Sequence, residues 1–456
     1  MGLRDRLKRA ELSASSPNAS ATPLAAAMSE LGAVVEVYQE LKHGLHGKLI
    51  EKLDLSTIEK LPRAQLRDEL RLILAGMLAE TELPLNRQER ETLIEDLLDE
   101  VTGLGPLEPL LRDHSISDIL VNRYDTVYVE RFGKLELSAV RFRDNEHLVQ
   151  IINRIVSRVG RRVDDSSPMA DARLEDGSRV NAILPPLALD GAVLSIRRFG
   201  GSPLRIRDLL SMGSLTAEMV AFLGAVVKAK CNVLISGGTG TGKTTLLNAL
   251  SSFVPDTERI ITIEDAAELQ LQQRHVVRLE TRPPNIEGRG EVLARDLAKN
   301  ALRMRPDRIV IGECRGGEVV DMLQAMNTGH EGSMTTVHAN TPRDALSRLE
   351  AMVGMGGVQM SETLTRQTIS RAINLVLQLN RGTDGRRRVT SISELTGMES
   401  TTITMQEIFR FEQRGVDKDG KIVGEYRSTG VRPKLLERIE RYGIDPAEVV
   451  RPYLAA

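Results

Sequence analysis

The stretch VLISGGTGTGKTTLLNALSSF, Val233 to Phe253, leaves this chain few folding options. A short apolar run enters a turn with four glycines. Leu246, Leu247 and Leu250 then recur at helical spacing. Strand, tight turn and helix in immediate succession form the unit from which layered α/β sheets are built. The turn satisfies G-x-x-x-x-G-K-[ST] through Gly237, Gly242, Lys243 and Thr244. Glycines allow several backbone N–H groups to converge, and the helix that follows adds its positive end. A phosphate group fits such a cradle, so the candidate nucleotide-binding residues are Gly237, Gly238, Thr239, Gly240, Thr241, Gly242, Lys243, Thr244 and Thr245. Lys243 would bridge the β- and γ-phosphates of ATP, and the Thr244 hydroxyl would hold Mg²⁺. The bland alternative is a glycine-rich turn without function.

The surroundings repeat the strand–helix alternation. CNVLISG, RIITIED, HVVRLE, DRIVIGE, SMTTVHA and NLVLQLN read as short apolar strands. EVLARDLAKNAL, GEVVDMLQAM and RDALSRLEAMV read as helices between them. The expected fold class is therefore α/β, with a largely parallel sheet over 210–456. Upstream, SDILVN, TVYVERFGKLELSAVRF, RLEDGSRVNAIL and AVLSIRRF read as strands around one amphipathic helix, EHLVQIINRIVSRVGRRV. That gives a smaller α+β domain over 112–199. Leu and Ile at three- and four-residue spacing predict a helical bundle over 28–111. SASSPNASATPLAA predicts a disordered leader over 1–27, and Gly200-Gly201-Ser202-Pro203 an interdomain linker over 200–209.

Two further acidic sites stand at strand ends. DRIVIGECR places Glu313 where a P-loop enzyme holds an acid that organises the attacking water. Gly312 occupies the position where an Mg²⁺-associated Asp is usual. ITIEDAAELQL carries Glu264, Asp265 and Glu268, and strand order could set this cluster beside the glycine turn. Glu264 is then a candidate for the Mg²⁺ role that Gly312 cannot fill. The alternative for each is a solvated acid or a helix-dipole partner. TGHEGSMTTVHANTP holds His330 and His338, two of only seven histidines, and suggests a γ-phosphate sensor.

Composition narrows the partners. Net charge is −2, aromatics make up 3% of residues and Trp is absent, so a base-stacking nucleic-acid platform is not expected. The two cysteines, Cys231 and Cys314, form no CxxC pair and read as buried thiols. No secretory signal or membrane-spanning run is legible, so a cytoplasmic location is expected.

GGTGTGKTT, TIEDAAEL, IVIGECRGGE and GHEGSMTTVHANTP, in that order, resemble the Walker A, Asp-box, Walker B and His-box of bacterial and archaeal secretion and pilus ATPases of types II and IV. The nearest branch by resemblance is the CpaF/TadA type of the Tad pilus. The likeness runs from about Leu31 to Asn380. It implies a RecA-like P-loop C-terminal domain and a homo-hexameric ring motor that hydrolyses ATP with Mg²⁺. Such motors work at the cytoplasmic face of the inner membrane, on platform proteins of the TadB/TadC kind, to drive pilus assembly or subunit secretion. The resemblance also implies that arginines of the N-terminal domain reach the nucleotide. Arg179, and Arg197 or Arg198, occupy the matching positions, with Arg173 a weaker match. The chain lacks the four-cysteine element typical of type II secretion and type IV pilus assembly ATPases. Two other readings compete: a conjugation-type ATPase exporting DNA or protein effectors, and a GTPase switch. No NKxD-like guanine motif supports the latter. No chemistry is legible from Arg386 onward, where packing or subunit contact is expected.

Overall fold

The computed structural model of the chain describes residues 42, 44–49, 63–79, 86–131, 133–199, 203–284, 288–446 and 449. The expected leader and Gly200–Ser202 of the expected linker lie outside the described residues. The chain divides into two compact units, Met1–Phe199 and Gly200–Ala456.

The first unit begins with a helical layer. Helices Arg63–Ala79 and Arg87–Thr102 pack Leu70, Leu74 and Leu78 against Leu93, Leu97 and Leu98. Asn86 starts the second helix through a capping box: its side chain accepts from the Glu89 N–H, and Glu89 accepts from the Asn86 N–H. Buried Asp99 is satisfied by Arg67 at 3.0 Å and by both terminal nitrogens of Arg112. Leu104, Leu107 and Leu110 pack instead with the sheet that follows.

That sheet has six strands: β1 (Ile116–Arg123), β2 (Thr126–Arg131), β3 (Lys134–Leu137), β4 (Met169–Arg173), β5 (Arg179–Ile183) and β6 (Val193–Arg197). Their order is β3-β2-β1-β6-β5-β4, and every pairing is antiparallel. Alternation decides which face is covered. Ile119, Val121, Val180, Ala182, Leu194 and Ile196 lie under the helix Asn145–Arg158, which contributes Leu148, Ile151, Ile152 and Ile155.

The second unit is a nine-stranded sheet ordered β15-β14-β13-β12-β7-β11-β10-β8-β9. Its strands are β7 (Val233–Gly237), β8 (Ile260–Glu264), β9 (Val276–Glu280), β10 (Arg308–Cys314), β11 (Met334–Val337), β12 (Leu375–Arg381), β13 (Arg387–Glu399), β14 (Thr402–Val416) and β15 (Ile422–Ser428). β7 to β12 run parallel to their neighbours, and β13 to β15 extend the sheet antiparallel from β12. The parallel strands are covered on both faces, which is why they read as unbroken apolar runs. Val233, Ile235, Val310 and Leu377 face helices Ala217–Lys228 and Lys243–Ser251. Leu234, Ile261, Ile311 and Val376 face helices Ala294–Ala301, Glu318–Asn327, Pro342–Met355 and Glu362–Ala372. Helix Ile206–Ser211 begins within the expected linker, 200–209, and buries Leu209.

Candidate nucleotide site

The glycine turn leaves the C-terminal end of β7, the central strand of the nine-stranded sheet. Gly242 caps helix Lys243–Ser251 at φ 97°, a left-handed backbone that other residues rarely adopt. Lys243 Nζ donates to the carbonyls of Gly237 at 3.0 Å and Gly238 at 3.1 Å. Thr241 Oγ1 braces the turn on Gly238 O at 2.9 Å. Thr244 stands half-buried in the first helical turn. A cavity of about 510 Å³ opens beside the turn, between residues 204–215, Thr245 and Leu246, and residues 385–389 at the start of β13. Arg387 donates from Nε to Gly240 O at 2.8 Å. The region from Arg386 onward, where packing or subunit contact is expected, thus packs against the glycine turn through Arg387. Nothing in the sequence marks this, because Arg387 reaches the turn only through the pairing of β12 with both β7 and β13.

The acidic cluster does not lie on a strand beside β7: β11 and β10 come between. Its loop nevertheless crosses back. The Gln270 N–H donates to Asn248 Oδ1 on the helix after the turn, at 2.9 Å, and Gln273 Nε2 donates to Ser251 O at 2.5 Å. Glu264 ends β8, and Glu313 is the penultimate residue of the adjacent parallel strand β10. A Cβ built at Gly312 would lie 2.9 Å from Glu264 Cγ. Glu264 itself fills the space that an Asp at 312 would need, which explains the glycine in this acidic strand.

Glu264 is 6% exposed. Its Oε1 accepts from the Glu268 and Leu269 N–H groups at 2.8 and 2.9 Å, while Oε2 is buried without a hydrogen-bond partner. Burial pushes its pKa up, and the two N–H groups only partly offset this. Glu313 is more open, with its Oε2 held by Arg315.

The two histidines separate. Val337, which precedes His338, pairs with Ser236, so His338 follows β11 at the edge where the glycine turn leaves β7. His330 precedes β11, with about 13 Å of strand between them at ordinary strand rise. It sits at the opposite edge of the sheet, and its Nδ1 is buried without a partner. The expected pair of histidine sensors is not one cluster within this unit.

In the first unit, Arg173, Arg179 and Arg197 occupy one cross-strand row over β4, β5 and β6, which continues to Asp118 on β1. The row lies on the face away from the covering helix. Arg198 points elsewhere, donating from Nη1 to the Asp113 carbonyl.

Among the described residues, no group of three or more His, Cys, Asp or Glu could hold a metal ion. Mg²⁺ carried with a nucleotide needs no such cage, since phosphates and water supply most of its ligands. The Thr244 hydroxyl and the unpartnered Oε2 of Glu264 are the oxygens that would be offered to it.

With this geometry in place, known proteins give a consistent answer. Residues 100–420 match the type II/IV secretion system protein family, and residues 38–102 match the N-terminal domain of type II secretion system protein E. The chain belongs to the type II/IV secretion system protein family. It is an ATP hydrolase of that family. A Mycobacterium tuberculosis protein named for conjugal transfer is 40% identical over 329 residues, 71% of this chain and 91% of the relative. Conjugal transfer protein TrbB of Rhizobium radiobacter is 30% identical over 66% of this chain and 91% of its own length. The solved VirB11 ATPase of the Brucella suis type IV secretion system is 30% identical, covering 63% of this chain and 91% of that one, at TM-score 0.35.

Proposed function

We propose that this chain is the ATP-driven motor of a secretion apparatus, acting as a homo-hexamer at the cytoplasmic face of the inner membrane. The observation that carries the reading is that Glu264 and Glu313 stand near the C-terminal ends of neighbouring parallel strands in the sheet that presents the glycine turn. The turn's N–H groups and Lys243 would hold the β- and γ-phosphates. Glu313 would accept a hydrogen bond from a water aligned with the γ-phosphorus. As that water attacks, the bond from the γ-phosphorus to the bridging oxygen breaks, giving ADP and phosphate. Mg²⁺ held at Thr244 and Glu264 would neutralise phosphate charge. The half-buried cavity beside Thr245 and Leu246 is sized for the nucleoside. Arg179 and Arg197 remain the candidate arginines for phosphate; with Arg173 they share one face of the sheet, whereas Arg198 donates to the Asp113 carbonyl. Among the described residues, no helix is long and apolar enough to cross a membrane.

The names of the relatives favour conjugation-type export of DNA or protein effectors as the work done. Assembly of a Tad-type pilus on TadB/TadC-like platform proteins is the second reading. It is favoured by the N-terminal helical layer matched at 38–102 and by length that the conjugal relatives do not cover. Replacing the chromosomal gene with a Lys243→Ala copy tests both readings. Loss of DNA or effector transfer with surface pili intact supports the first. Loss of pili alone supports the second, and loss of neither refutes the motor.

A further inference from the structure

Arg315 follows the acidic strand and was given no role by motif. Its surroundings are built. The N–H groups of Arg315 and Gly316 both donate to Glu318 Oε1, at 2.5 and 2.8 Å, and Glu318 is only 9% exposed. The turn after β10 is thereby fixed, and the Arg315 side chain folds back along it. Nε and Nη2 both reach the same oxygen of Glu313, Oε2, at 2.9 and 2.6 Å. Nη1 reaches Asp265 Oδ2, on the loop after β8, at 3.2 Å. One planar guanidinium therefore spans the acids of two strands, which an ammonium cannot do with the same geometry. The arrangement takes one Glu313 oxygen and leaves Oε1 for a water. Since 58% of the Arg315 side chain is exposed, the contact adds little stability. Its effect is orientation.

We propose that Arg315 is a positioning residue for ATP hydrolysis: it fixes the Glu313 carboxylate through one oxygen and ties it to Asp265. The inference rests on Glu313 being the water-activating acid. Asp265, through Arg315, then sets where Glu313 points. Without the guanidinium, Glu313 would sample several rotamers and face the like charge of Asp265.

The test is steady-state ATP turnover of the full-length protein carrying Arg315→Ala, Arg315→Lys, Asp265→Asn, or Arg315→Ala with Asp265→Asn. Binding of a fluorescent ATP analogue and thermal melting are measured alongside. Misorienting a catalytic group costs about 10- to 100-fold. Arg315→Ala should lower kcat by that factor, with KM and analogue affinity within about twofold and Tm within about 2 °C. Arg315→Lys should recover part of the loss. Asp265→Asn should fall between wild type and Arg315→Ala, and the double variant, which removes the like charge as well as the guanidinium, should be no slower than Arg315→Ala and still below wild type. Wild-type or raised kcat in Arg315→Ala, or a loss shared by affinity and Tm, would overturn the proposal. Glu313→Gln, run in parallel, separates the two levels. If it turns over at the wild-type rate, the Glu313 assignment fails. If it is inactive while Arg315→Ala is normal, only the role of Arg315 fails.

Discussion

Gly312→Ala is the sharpest probe of how the site is packed. The backbone at 312 has no left-handed strain, so an added methyl reports on its contact alone. That methyl would sit 2.9 Å from Glu264 Cγ and 3.4 Å from Oε1. Glu264 cannot yield freely, because Oε1 is held by two backbone N–H groups in a buried setting. Overpacking of this kind costs about 1–3 kcal/mol. For a unit of this size each kcal/mol lowers Tm by about 2–4 °C, so a fall of roughly 2–12 °C is expected. The chain has no Trp, so melting is followed by far-ultraviolet circular dichroism. Glu264→Ala removes the obstacle while leaving two N–H groups unpaired, and is itself destabilising. The double variant should be more stable than the sum of the singles predicts, by at least about 1 kcal/mol, as expected for groups in direct contact. Strict additivity, or an unchanged Gly312→Ala protein, would refute the claim that Glu264 fills the place of the missing Asp.

Other expectations follow from the same geometry. Arg387→Ala removes the donor to Gly240 O and should weaken ATP-analogue binding roughly fivefold, about 1 kcal/mol for an exposed charged hydrogen bond, measured by fluorescence titration. His338→Ala should lower kcat at least about 10-fold more than His330→Ala, because only His338 stands at the edge bearing the glycine turn. In the first unit, burial alone would raise the Glu100 pKa, but the hydrogen bond from His147 and the charge of Lys42 lower it from 4.5 to about 2. A carboxylate with a depressed folded-state pKa stabilises above its unfolded value. That stability should fade as pH drops from about 4.5 toward 2, and Glu100→Gln should flatten an acid titration followed by circular dichroism over that window.

How much of this was legible in the sequence follows from the range of each interaction. Strand β7 and the helix after it are local, and their apolar runs and glycines reveal them directly. Both parallel-strand acids, Glu264 and Glu313, could be picked as strand-end residues. Their mutual packing at Gly312 could not, because it depends on β8 pairing with β10 across more than forty residues of chain. The two histidines are the opposite case. His330 and His338 are close in sequence, but strand β11 between them carries each to a different edge. Arg387 and Arg315 were missed because a contact to a carbonyl in a distant turn, or a side chain folding back two residues, leaves no periodic trace. The row of Arg173, Arg179 and Arg197 became visible only with the register of β4, β5 and β6, which also sets Arg198 apart.

The central claim is that this chain hydrolyses ATP at the Val233–Gly237 strand end, with Glu313 activating the water. Single-turnover hydrolysis by Glu313→Gln, with analogue affinity measured on the same protein, tests it most directly. The account predicts near wild-type affinity and a turnover rate lower by about 100-fold or more, as loss of a positioned general base gives. Hydrolysis at the wild-type rate would contradict it.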